Sequence, residues 1–153
     1  VLKVVLVHPE IPFNTGNVGR TCAAAGAELH LVSPLGFSLS ERRLRRAGLD
    51  YWEKLNPRVH GSLDSFIKEL PADADVLAFS AEGARSHWSA PYGPDSWLIF
   101  GGESAGLPPE LRARWRERLY RVPMVPGARS LNLSTAAGIV LYEACRSHGP
   151  IRE

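Results

Sequence analysis

The sequence predicts an α/β domain built on a mostly parallel sheet with helices on both faces. Two observations carry this. Apolar runs rich in β-branched residues, at Leu2 to Val7, Leu29 to Val32, Val76 to Phe79 and Trp97 to Phe100, alternate with helix-like segments, and Leu119 to Val122 is a weaker fifth run. The composition, 44% hydrophobic and 22% charged, is that of an ordinary globular chain, and no repeat or low-complexity tract interrupts it. A chain of 153 residues supports one core, so a single domain over residues 1–153 is expected.

Taken in order, the first apolar run meets His8-Pro9-Glu10 at once, too soon for a signal-peptide core or a membrane span. A cytoplasmic protein without a membrane partner is therefore expected. The next helix is read as starting near Gly16, with Val18 and Cys22 facing inward and Arg20 outward. Ser38 followed three residues later by Glu41 has the spacing of a capping box, and Gly48 is a stop, which predicts a short basic helix over residues 39–47. Another short helix, Asp64 to Leu70, ends at Pro71, and the Gly- and Pro-punctuated stretch from Ala81 to Pro94 reads as a loop. In the last segment Leu133, Ala136, Ala137, Val140, Leu141 and Ala144 form one helical stripe that should pack on the sheet. Ile139 and Tyr142 lie on the other side, either as a homodimer interface or as the scattered exposed apolar residues normal to any surface.

The net charge is only +2, yet 15 of the 18 basic residues are arginines. Many fall in two clusters: Arg42, Arg43, Arg45 and Arg46, and Arg112, Arg114, Arg116, Arg118 and Arg121. These are either solvated helix faces or the footprint of an anionic partner. The only cysteines, Cys22 and Cys145, sit in apolar contexts that suit buried thiols, and His8, His30, His60 and His87 lack metal-ligand spacing, so no metal is expected. Tyr51, Trp52 and Trp88 fit either stacking on nucleobases or core packing.

Gly102-Glu103-Ser104-Ala105-Gly106 matches the G-x-S-x-G elbow of serine esterases, but that elbow needs a helix starting directly after its serine. Pro108 and Pro109 delay the next helix to about Pro108, no aspartate follows Ser104, and the only later histidine is His148 near the chain end. An esterase is thereby disfavoured. Gly101 and Gly102, placed after a buried strand, instead suit a loop whose backbone approaches a ligand closely.

Three ordered segments, Asn14 to Arg20 (NTGNVGR), Ile99 to Pro108 (IFGGESAGLP) and Arg121 to Glu143, together resemble the three motifs of the SPOUT (SpoU–TrmD) superfamily of RNA methyltransferases. His8 to Asn17 (HPEIPFNTGN), Arg42 to Trp52 (RRLRRAGLDYW) and the short length most closely resemble the branch that methylates the ribose 2'-oxygen of tRNA nucleotide 34. The resemblance implies a deep trefoil knot in the C-terminal part, S-adenosylmethionine as cofactor without a metal, a homodimer, and tRNA, through its anticodon stem-loop, as partner, with no separate RNA-binding domain. It implies cofactor contacts at Phe79, Gly101, Gly102, Glu103, Val122, Met124, Ser130 and Leu131. Asn14, Arg20, Glu103, Ser130 and Asn132 are its implied catalytic-site residues, and Arg20, Arg42, Arg43, Arg45, Arg46 and Arg129 its implied RNA contacts. A guanidinium seldom gives up its proton, so Arg20 is read as gripping phosphate and stabilising oxyanion charge, positioned by Asn14, with the general base left open. Asn132 also has the position of a cap for the last helix. Alternatives within reach of the same residues are a ribosomal RNA or another tRNA site, and a non-catalytic RNA-binding module.

Overall fold

The computed structural model describes residues 1–40, 42, 44, 46, 51–148 and 151. Its strands are β1 (Lys3–Val7), β2 (Glu28–Val32), β3 (Arg58–His60), β4 (Val76–Phe79), β5 (Arg85–Ser86), β6 (Trp97–Phe100) and β7 (Leu119–Arg121). They form one sheet in the order β3-β2-β1-β6-β4-β7-β5, and every strand pairing is parallel. Side chains alternate across a strand, so β1 sends Val4 and Leu6 to one face and Val5 and Val7 to the other. Both faces are covered, which is why these strands read as continuous apolar runs.

On the first face lie α1 (Pro12–Ala25) and α5 (Leu133–His148), packed on each other and on the sheet through Val18, Cys22, Ala137, Val140, Leu141 and Ala144. Trp52 and Leu55 of the short α2 (Trp52–Leu55) pack against the same core. On the second face, Phe66 of α3 (Leu63–Glu69) and Leu111 of α4 (Pro109–Arg114) meet Val5, Ile99 and Ala78. The predicted layers are those observed.

Several boundaries differ from the sequence reading. Helix α1 begins at Pro12, four residues before Gly16, because proline at the first helical position lacks only an N–H that would have no partner anyway. Residues 81–94 are not all loop: β5 and a 3-10 turn, His87–Ser89, lie within them. Of the predicted basic helix, Arg42, Leu44 and Arg46 are helical, with Leu44 buried and both arginines exposed. Glu41, Arg43, Arg45 and Gly48 lie outside the described residues. The second arginine cluster is partly structural. Arg112 pairs with Glu82, Arg118 with Asp75 and the Val76 carbonyl, and Arg121 donates to the carbonyls of Gly83 and Ala84. Cys22 and Cys145 are free and buried, and burial pushes the Cys22 thiol up to about 12, far from reactive.

Candidate active site

At the C-terminal ends of β4, β6 and β7, where the strand order doubles back, a cleft of about 470 Å³ opens. All eight residues expected to hold a cofactor line it: Phe79, Gly101, Gly102, Glu103, Val122, Met124, Ser130 and Leu131. Asn14 and Asn132 line it too. Phe79 and Phe100 stack at 5.0 Å between ring centroids and give the cleft an apolar floor.

The glycines at its rim have a measurable reason. A Cβ on Gly101 would stand 2.0 Å from the Gly106 carbonyl carbon, and one on Gly102 would stand 2.5 Å from the His8 carbonyl oxygen. Residues 101–106 therefore fold back on themselves and press on the segment after β1, closed by a bridge between Gly102 and Gly106. Two glutamates lock these segments reciprocally. The Glu103 carboxylate accepts from the backbone N–H groups of Glu10 and Ile11, each at 2.7 Å, and from Asn14 Nδ2 at 3.2 Å. Ile11 is the N-cap of α1 and has no side-chain cap of its own, so a carboxylate from a distant loop meets the positive end of that helix. In return the Glu10 carboxylate accepts from the Ser104 N–H at 3.1 Å and from Ser104 Oγ at 2.6 and 2.8 Å, bonds that hold its carboxyl below the usual carboxylate range. The Ser104 hydroxyl donates to the Glu10 carboxylate, whose lowered pKa makes it a poor base, and its hydrogen bonds include none to a histidine. The elbow-like sequence is a structural clasp.

The polar chain continues. Asn14 Oδ1 accepts from Asn132 Nδ2 at 2.9 Å, and Asn132 Oδ1 accepts from the N–H groups of Ser134 and Thr135 at the start of α5. Asn132 thus caps α5 as its position predicts, and joins α5 to α1 and to the loop after β6. Both ends of the Asn14 amide are engaged with Glu103 and Asn132, so Asn14 does not position the Arg20 of its own chain. Six residues along a helix is about 600°, which turns Arg20 well away from Asn14. Arg20 is exposed, does not line the cleft, and its guanidinium carbon lies 5.3 Å from the centroid of the Tyr51 ring. Arg129 is exposed beside Ser130 without lining the cleft. Ile139 and Tyr142 stand 40% and 46% exposed on α5, on the side away from the sheet.

Sequence reasoning missed Glu10, whose pairing with Ser104 spans 94 positions, and a buried pair of histidines at the sheet edge. His30 Nδ1 and His60 Nε2 lie 3.0 Å apart, flanked by Glu28 and Glu69. Consecutive strands β2 and β3 carry the two rings to the same face, but β3 is only three residues long and gives no periodic signal. Trp88, 72% exposed, is not a core residue, whereas Trp52 packs on Gly19 of α1 and on the core. Among the described residues no group of three or more His, Cys, Asp or Glu could hold a metal ion, and no helix is long and apolar enough to cross a membrane.

Known proteins share this arrangement. A tRNA (cytidine(34)-2'-O)-methyltransferase of Burkholderia pseudomallei (strain 1106a) is 48% identical over 151 residues, 97% of each chain. One from Saccharophagus degradans is 45% identical over 150 residues, again 97% of each. A solved structure described as giving insights into the 2-OH methylation of C/U34 on tRNA is 50% identical, superposes with a TM-score of 0.91 and covers 95% of this chain and 94% of its own. An AdoMet-bound rRNA methyltransferase from Sinorhizobium meliloti is 32% identical with a TM-score of 0.83, across 95% of this chain and 56% of that one. The pattern of the SpoU rRNA Methylase family matches residues 1–142, and with these relatives it establishes that the chain belongs to that family.

Proposed function

We propose that this protein transfers the methyl group of S-adenosylmethionine to the ribose 2'-hydroxyl of nucleotide 34 of tRNA. The observation that carries the reading is the cleft itself: the residues matching the family's cofactor motif, drawn from the ends of three strands and the segment before α5, line one cavity and are cross-tied through Glu103, Asn14 and Asn132. The residues suit the cofactor. Phe79, Val122, Met124 and Leu131 offer apolar contact, and the glycine loop offers backbone groups with no side chain between them and a ligand. When bound, the cofactor supplies an electrophilic methyl on a sulfonium. The chain supplies alignment, which lowers the barrier of an in-line displacement by holding donor and acceptor in register. Ser130, at the cleft wall, faces the acceptor side, and the Glu103–Asn14–Asn132 chain keeps that wall rigid.

The fine topology belongs to the same proposal. It includes a C-terminal trefoil knot, a reading supported by the place of β7 outside β4 and by the bond that brings Asn132 to Asn14. Arg20, exposed and outside the cleft of its own chain, serves the acceptor ribose of a second copy, and Ile139 and Tyr142 form the homodimer contact that brings the copies together. Arg42 and Arg46 are exposed for tRNA backbone contact, as is Arg129. In this reading the protein acts in the cytoplasm and without a metal. The test is transfer of labelled methyl from S-adenosylmethionine to tRNA, with and without chelator, followed by mapping of the product. Label on the 2'-oxygen of nucleotide 34, insensitive to chelator, supports the reading; label on a base, or on ribosomal RNA alone, overturns it.

A further inference from the structure

We infer that a second cleft, back to back with the first, receives the pyrimidine base of the nucleotide being methylated; this rests on the RNA 2'-O-methyltransferase reading above. The cavity, about 460 Å³, lies between His8 and Glu10 after β1, Pro34 and Leu35 after β2, and Pro108 and Pro109 at the start of α4. It shares Gly102, Ala105 and Gly106 with the cofactor cleft, so a single folded layer of backbone separates the two. A base seated in one can leave its ribose at the rim of the other.

The polar groups of this cavity are of one kind. His8 Nδ1 lies 3.2 Å from the Val32 carbonyl oxygen, which can only accept, so Nδ1 carries the hydrogen, and in that tautomer Nε2 is an acceptor. The Glu10 carboxylate is also an acceptor, and Ser104 holds it in the charged form. No lysine or arginine is among the described residues lining the cavity, and prolines and Leu35 make its sides. Such a cavity repels a phosphate. It suits a flat ring that presents N–H groups at its edge, and single-stranded bases are read in this way. Cytosine offers its N4 amine and uracil its N3–H, so one acceptor on His8 accommodates both. The His8 backbone, at φ 56°, occupies the left-handed region, which aims the imidazole from a turn where an extended residue would not.

Two measurements on the intact protein test this. An anticodon stem-loop carrying 5-iodocytidine at the acceptor position, irradiated with the protein and S-adenosylhomocysteine, should cross-link to the peptide holding His8 or to the one holding Pro34 and Leu35. His8→Asn keeps a residue tolerant of the left-handed backbone and removes the imidazole acceptor. It should raise the KM for tRNA roughly tenfold, the scale of one hydrogen bond to a base, while kcat, cofactor affinity and melting temperature stay within wild-type error. Cross-links confined to other segments, including those expected if a second copy of the chain fills the cavity, would overturn the inference. An unchanged KM in folded His8→Asn would do the same. Wild-type protein that methylates no RNA would instead defeat the methyltransferase reading on which the inference stands.

Discussion

The cofactor cleft and the Arg20 surface of α1 come from the same motif segment, Asn14 to Arg20, yet they are built in different ways. Asn14 is buried and bonded at both ends of its amide, to a loop 89 positions away and to the start of α5 118 positions away. Arg20, less than two turns later, is exposed and lies against the Tyr51 ring. In the proposed reading one chain completes the cofactor cleft, and its Arg20 serves the cleft of a second copy. The contrast separates binding of the cofactor, which needs a fold, from use of the cofactor, which needs a second surface.

Changes on the Arg20 surface should affect transfer alone. Arg20→Ala should lower methyl transfer by roughly 10² or more, the scale of losing an electrostatic stabiliser, with calorimetric affinity for S-adenosylmethionine within twofold. Equal losses of affinity and transfer would break the comparison. Changes in the cofactor cleft should affect the fold as well. Glu103→Ala deletes the acceptor for three hydrogen bonds, two of them at the N-terminus of α1, and should cost about 2 kcal/mol in denaturant unfolding. Cofactor affinity should fall with it, because the glycine loop is no longer held.

Acid supplies a control from a third region. Burial lowers the pKa of His30 below its ordinary 6.5, opposed by the hydrogen bond it donates to Glu28 and reinforced by His60 and Arg58. Burial likewise lowers that of His87. Below 6.5 the unfolded chain then binds more protons than the folded one, so stability is full above about pH 6.5 and is lost as pH falls toward the folded values. Melting temperature followed with pH should show that decline, and a flat profile to about pH 5 would contradict it. The smallest effect is expected at Ser104. Ser104→Ala loses the two hydroxyl bonds to Glu10 while keeping the backbone N–H bond, and removes no reacting group, so transfer should stay within a few-fold of wild type; abolished transfer with an intact fold would restore the nucleophile reading.

How much of this was legible in the sequence follows the range of the interactions. The alternating apolar runs, the α5 stripe and the Pro108–Pro109 break are local, and the layers they predict are the layers observed. The eight cofactor-lining residues were reached by motif resemblance, not by spacing, since backbone contacts leave no side-chain pattern. The Glu103 and Glu10 exchange, the Asn14–Asn132 bond and the His30–His60 pair depend on strand order, which places sequence-distant turns side by side. Helix α1 starts earlier than the sequence predicts: Asn14 and Gly16 are poor helix formers, and tertiary bonds of Asn14 to Glu103 and Asn132 outweigh that propensity.

The central claim, that the cleft of one chain works with the Arg20 of its partner, is tested most directly by mixing two inactive variants. Arg20→Ala keeps the cofactor cleft; Ala136→Phe fills that cleft from α5 and keeps Arg20. Unfolded together and refolded as mixed dimers, they should regain methyl transfer to tRNA, because each mixed dimer holds one intact cleft facing one intact Arg20. Mixed dimers as inactive as either parent would place Arg20 and the cleft in the same chain and contradict the account.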